Sequence, residues 1–212
     1  MELLDKYKKA WNNQPEEKNK VSAQDIYRIS HANSSSIVKW IFVIGILEFL
    51  FWGIINVSIP DSFYEIYKEL NLETFLQVFT IIHYIVLVAF LYLFYKNHKR
   101  ISVTENTKKL IQKILKVRKT VNSYVYYNLA IIILIGVVLN VKTISNINEN
   151  GNILIPENLS MDLSEVISVT ILIQLITLII IFVFFWLFYK LLYGIFLKKL
   201  NKNYKELIKL ES

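Results

Sequence analysis

Apolar positions in this chain gather into four long blocks, Ile37–Ile59, Thr74–Tyr95, Val121–Val141 and Val166–Leu197, divided by polar segments. A helix needs about 20 mostly apolar residues to cross a hydrocarbon core of about 30 Å, and every block reaches that length. The pattern predicts an all-α polytopic membrane protein, a four-transmembrane-helix bundle with cytoplasmic amphipathic helical extensions. Its parts are an N-terminal helical segment (1–36), a membrane domain (37–197) with a basic loop (96–120), and a basic tail (198–212).

The segments beside the blocks also carry helical spacing. The fourth block runs about 32 residues, or roughly 48 Å of helix, which is longer than the core it crosses. Its end, with Tyr189, Lys190 and Tyr193, is expected to emerge among headgroups. The tail keeps the period at Leu200, Tyr204, Leu207 and Ile208, so one helix from Val166 to about Leu210 is predicted. In the loop, Ser102-Val103-Thr104-Glu105 has capping-box spacing, and Val103, Thr107, Leu110, Ile111, Ile114, Val117 and Val121 follow near a 3.6 period. Lysines fill its other face, so this helix lies on anionic lipid, packs on the tail, or offers a partner-docking or lipid-sensing surface. Near the start, Leu3, Leu4, Tyr7 and Trp11 share one face, a candidate docking surface for lipid, the tail or another protein. A second helix begins at Ser22-Ala23-Gln24-Asp25, and Ser34-Ser35-Ser36 leads into the first block. Tyr64 and Tyr67 lie in a connection expected to form a short surface helix.

Charge sets the orientation. Lys and Arg crowd the N-terminal segment, the loop between blocks two and three, and the tail, while the other two connections hold only Lys68 and Lys142. The positive-inside rule then places both termini and the central loop in the cytoplasm. Trp40, Tyr92, Tyr95, Tyr124, Tyr126, Tyr127, Tyr189 and Tyr193 fall near the expected inner interface, where amphipathic rings are favoured. The chain of 212 residues is 54% hydrophobic with a formal charge of +7, and its mean hydropathy is +0.41. The basic residues sit beside the blocks, not along a stripe that would track a phosphate backbone, so nucleic acid is excluded as a partner. The first 36 residues are polar, so no cleavable signal peptide is expected and the first block serves as the insertion signal.

Few residues can carry chemistry. Glu48 stands near the centre of the first block, where a charged carboxylate costs about 2.5–3.5 kcal/mol and must find a partner or a proton. Depth matching proposes His83 in the second block, with Gln174 and Asn128 as further members of an intramembrane polar centre. Such a centre serves as an interhelical hydrogen bond, as a proton or cation site, or as a small-ligand site. Cysteine is absent, and the three histidines lie in separate regions without metal-ligand spacing. Five scattered glycines make no phosphate loop. No catalytic residue, cofactor or metal is expected.

The opening Glu2-Leu3-Leu4-Asp5-Lys6-Tyr7, continuing through Lys9-Ala10-Trp11-Asn12-Asn13-Gln14, and the stretch from Ile26-Tyr27-Arg28-Ile29-Ser30-His31 to Trp40 resemble small polytopic inner-membrane proteins of Bacteroidota. The resemblance covers about the first fifth of the chain and implies a bacterial inner membrane without an assigned activity. Some such proteins carry the automatic label beta-carotene monooxygenase, a label these residues do not support. Enzymes of that name hold iron with four histidines on a large propeller, and this chain has three histidines. The reading that fits best is a non-enzymatic interaction, regulatory or complex-subunit protein of the inner membrane. Membrane lipids and a cytoplasmic protein are its expected partners, with self-association left open. The alternative is a small ion or solute conductor centred on Glu48 and His83.

Overall fold

The computed structural model describes residues 22–60, 62–102, 106–150 and 162–211. The described residues form six helices and no strand: α1 (Ala23–Ser58), α2 (Ser62–Glu69), α3 (Glu73–Ser102), α4 (Thr107–Asn150), α5 (Leu163–Leu192) and α6 (Gly194–Glu211). Four stretches, Ala23–Ser58, Glu73–Ile101, Thr107–Asn148 and Leu163–Leu210, are long and apolar enough to cross a membrane. Within their most apolar windows only 6–17% of residues are buried. Ile54, Ile85, Leu172 and Ile180 are each more than half exposed. In water that surface would be costly, at roughly 25 cal/mol per Å² of apolar area.

The elements differ from the sequence expectation in instructive ways. Ser22 does open a helix, its side chain accepting from the Asp25 backbone N–H. That helix then runs unbroken through Ser34-Ser35-Ser36 into the first block. The serines do not interrupt it because Ser30 and Ser34 turn inward, and Ser34 Oγ accepts from Asn203 Nδ2 at 3.0 Å. The basic loop joins the third block as one helix of 44 residues. Ser102 does not cap it, being the last residue of α3. Asn106 does so instead, its Oδ1 accepting from the Lys108 N–H at 2.9 Å; Val103, Thr104 and Glu105 lie outside the described residues. The expected helix from Val166 to Leu210 is interrupted at Tyr193, between α5 and α6. Hydrogen bonds still cross the joint, from Tyr193 N to Tyr189 O and from Leu197 N to Tyr193 O, both 2.9 Å. The short helix at Tyr64 and Tyr67 forms as α2. At the start of α5, Asp162 and Glu165 make a reciprocal capping box that the sequence reading passed over.

The core lies at the basic end. There the start of α1, the end of α3, the start of α4 and α6 pack as a four-helix head. Ile101, Leu110, Ile114, Val117, Val121, Leu200 and Leu207 are at most 1% exposed in it. Polar ties cross the head: Asn97 Nδ2 donates to Thr120 Oγ1 at 3.1 Å, and His31 Nε2 donates to the Ile101 carbonyl at 2.8 Å. Lysines 108, 109, 116, 119, 198, 199, 202 and 205 point outward. The apolar faces of the loop and the tail thus cover one another, while their lysine faces stay outward.

α1 and α3 approach closely at Gly45, where a Cβ would stand 3.1 Å from Leu91 Cδ2 and 3.2 Å from Phe94 Cδ2. Phe94 is itself fully buried and has little room to yield. Gly45→Leu is therefore expected to cost about 3 kcal/mol and Gly45→Ala about 1 kcal/mol, read as a fall in Tm in detergent. Gly53 faces open space, so Gly53→Ala is the neutral comparison. Equal Tm values for Gly45→Leu and the parent would show that the two helices do not meet there.

Candidate functional site

Between the four long helices lies a cavity of about 340 Å³, within the range of small-molecule sites. α1 supplies Glu48, Phe49, Trp52 and Asn56, and α3 supplies Thr80, His83 and Tyr84. Tyr124 and Asn128 come from α4, and Phe185 and Tyr189 from α5. These residues share walls because helical periods of three and four carry Glu48, Trp52 and Asn56, or Tyr124 and Asn128, along one face. Asn56 and Thr80 also line a second cavity of about 720 Å³, bounded by Tyr64, Tyr67, Lys68, Glu73 and Gln77. A continuous wall therefore runs from the acidic end of the bundle inward to Glu48.

Glu48 forms the inner end. It is 6% exposed, and its Oε2 accepts from the Tyr193 hydroxyl at 2.7 Å. The hydroxyls of Tyr189 and Tyr124 also turn toward the carboxyl. Asn128 Nδ2 donates to the Tyr124 carbonyl at 2.8 Å, and ring contacts brace the tyrosines. Tyr124 meets Tyr193 at 5.7 Å, Tyr189 at 6.2 Å and Phe94 at 5.4 Å between centroids. Beyond Tyr193 toward the basic end the interior is filled by Phe94, Ile41 and Val38, none more than 1% exposed.

The four expected polar residues separate. Glu48, His83 and Asn128 share the cavity, but His83 does not bond Glu48. Its Nδ1 lies 3.2 Å from the Tyr127 hydroxyl, with the two rings stacked at 5.6 Å. Gln174 lies outside the cavity lining, its Oε1 buried without a partner among the described residues. Leu3, Leu4, Tyr7 and Trp11 lie outside the described residues. The reading by sequence missed Tyr124, Tyr189 and Tyr193. It placed them at the interface, whereas they are at most 4% exposed and face the carboxyl. Trp40, Tyr92, Tyr95 and Tyr126 do point outward. The available signal was spacing: Tyr189 and Tyr193, and Tyr124 and Asn128, stand four apart on a single face.

Among the described residues no three of His, Cys, Asp or Glu gather in a way that could hold a metal ion. The cavity offers the Glu48 carboxyl, the His83 imidazole, the amides of Asn56 and Asn128, the hydroxyls of Thr80, Tyr84, Tyr124 and Tyr189, and aromatic walls. A family model described as a domain of unknown function (DUF8845) matches residues 24–212. No curated protein and no solved structure matches the chain.

Proposed function

The chain belongs to the DUF8845 family, and we propose that it is a multi-pass protein of a bacterial inner membrane that acts by interaction and regulation, not by catalysis. In this reading both termini and the four-helix head face the cytoplasm, following the positive-inside rule. One observation carries it: three of the four long helices continue past the apolar zone, and with α6 they build a head that has its own buried core. A surface that only anchored the chain would need no such core. The head presents a basic face suited to an acidic protein partner, with anionic headgroups at its margin. The spacing of Leu3, Leu4, Tyr7 and Trp11 in the sequence, outside the described residues, is read as a further docking element.

The conductor alternative has less support. The cavity ends at Glu48, and fully buried side chains fill the route toward the basic end. A path across one chain would have to open through that packing.

The chain has no cysteine, so single cysteines report without background. Lys205→Cys is expected to react with an impermeant maleimide only after cells are opened, and Lys68→Cys in intact spheroplasts. The reverse pattern would overturn the orientation. For the function itself, a photocrosslinker at exposed Lys109 or Lys202 is expected to capture one acidic cytoplasmic protein, and one at Ile180 only lipid. Capture of lipid alone from all three positions would sink the interaction reading.

A further inference from the structure

The cavity ending at Glu48 is not needed for a docking head, and its chemistry is specific. Its lining contains one carboxyl and one imidazole but no lysine or arginine. The carboxyl sits at the closed end, held by the Tyr193 hydroxyl at 2.7 Å. Phe49, Trp52, Tyr84 and Phe185 form aromatic walls toward the mouth, with Trp52 and Phe185 5.5 Å apart and Phe49 and Tyr84 5.7 Å apart between centroids. Aromatic faces attract cations that have shed their water, and they best suit ammonium groups carrying carbon substituents. A hard ion needs a shell of about six oxygens. Here the oxygens besides Glu48 come from Asn56, Thr80, Asn128 and the tyrosines, spread over all four helices among walls that are largely carbon.

We propose that this cavity binds a small amphipathic organic cation, with its ammonium directed at Glu48 and its apolar body between Trp52, Phe185 and the Phe49–Tyr84 pair. Entry runs from the acidic end past Gln77, Thr80 and Asn56, along the wall shared by the two cavities. The carboxyl supplies charge selectivity, and the rings supply affinity for the substituents. The site stands independently of whether the head recruits a partner.

The test is calorimetry on the intact protein in mild detergent with benzyltrimethylammonium, its uncharged carbon isostere neopentylbenzene, and potassium. Saturable binding of the ammonium is expected, undisturbed by excess potassium, with the isostere at least about tenfold weaker. Glu48→Gln, which keeps the size of the side chain, is expected to bring the ammonium down to the level of the isostere. Trp52→Ala is expected to weaken it by about tenfold through loss of a wall. A Tm within a few degrees of the parent shows that either variant is folded; should Glu48→Gln fail to fold, Trp52→Ala and the isostere carry the decision. Equal binding of the isostere would reduce the site to an apolar void. Displacement by potassium would make it an inorganic ion site, and absence of ammonium binding would overturn the proposal.

Discussion

Ile114→Asp is expected to open the head while leaving the apolar zone helical. Ile114 is 0% exposed, among Leu110, Val117, Val121, Leu200 and Leu207. The change removes a packed side chain, and truncation to Ala alone would cost about 2–5 kcal/mol. It also buries a carboxylate with no partner, which adds several kcal/mol more. Total stabilities of folded domains are only about 5–15 kcal/mol, so the head cannot absorb the sum. Trypsin sites at Lys198, Lys199, Lys202 and Lys205 should become cleavable much faster than in the parent. Lys116→Ala, at an exposed position on the same helix, should leave the digestion rate unchanged. Equal protection of the tail in Ile114→Asp would show that α6 does not depend on the head core.

The second large effect separates Glu48→Ala from Glu48→Gln. Removing the side chain strips the acceptor from Tyr193 and from the neighbouring hydroxyls of Tyr189 and Tyr124. A buried donor left unpaired costs about 1–3 kcal/mol, and a void where the carboxyl stood adds to it. Glutamine keeps the volume and one acceptor oxygen. Glu48→Ala is therefore expected to lower stability by about 3–5 kcal/mol, and Glu48→Gln by about 1 kcal/mol. Thermal unfolding in detergent with the Tyr193→Phe variant alongside checks this. Tyr193→Phe alone should cost about 1–2 kcal/mol, and little further when added to Glu48→Ala, because the bond is already gone. Additive losses would mean that the two residues act separately.

Much of this architecture was legible in the chain because bilayer-length apolar blocks have few alternative fates. Ser22 as a helix start and Glu48 as the odd residue of its block were likewise readable. The head was not, for a physical reason. Leu110, Ile114 and Val117 on one face of a basic helix look the same whether they cover lipid or Leu200 and Leu207. Only the packing of the tail beside α1, tied by Asn203 to Ser34, decides between the two. The surroundings of Glu48 were hidden by a similar degeneracy. Tyrosine suits a membrane interface and also suits donating to a buried acid, and depth along a span does not reveal facing. His83, matched to Glu48 by depth, lines the same cavity, but its ring meets the Tyr127 hydroxyl. Gln174 satisfied the depth criterion and faces elsewhere.

Tyr193 holds two positions at once: its hydroxyl is on Glu48, and its backbone is the joint from which α6 departs. α6 has 18 residues, about 27 Å of helix, and it starts from the residue whose hydroxyl holds the buried acid. One side chain therefore fixes both the inner wall of the cavity and the root of the tail, so a change at Glu48 reaches the base of the basic head through a single residue.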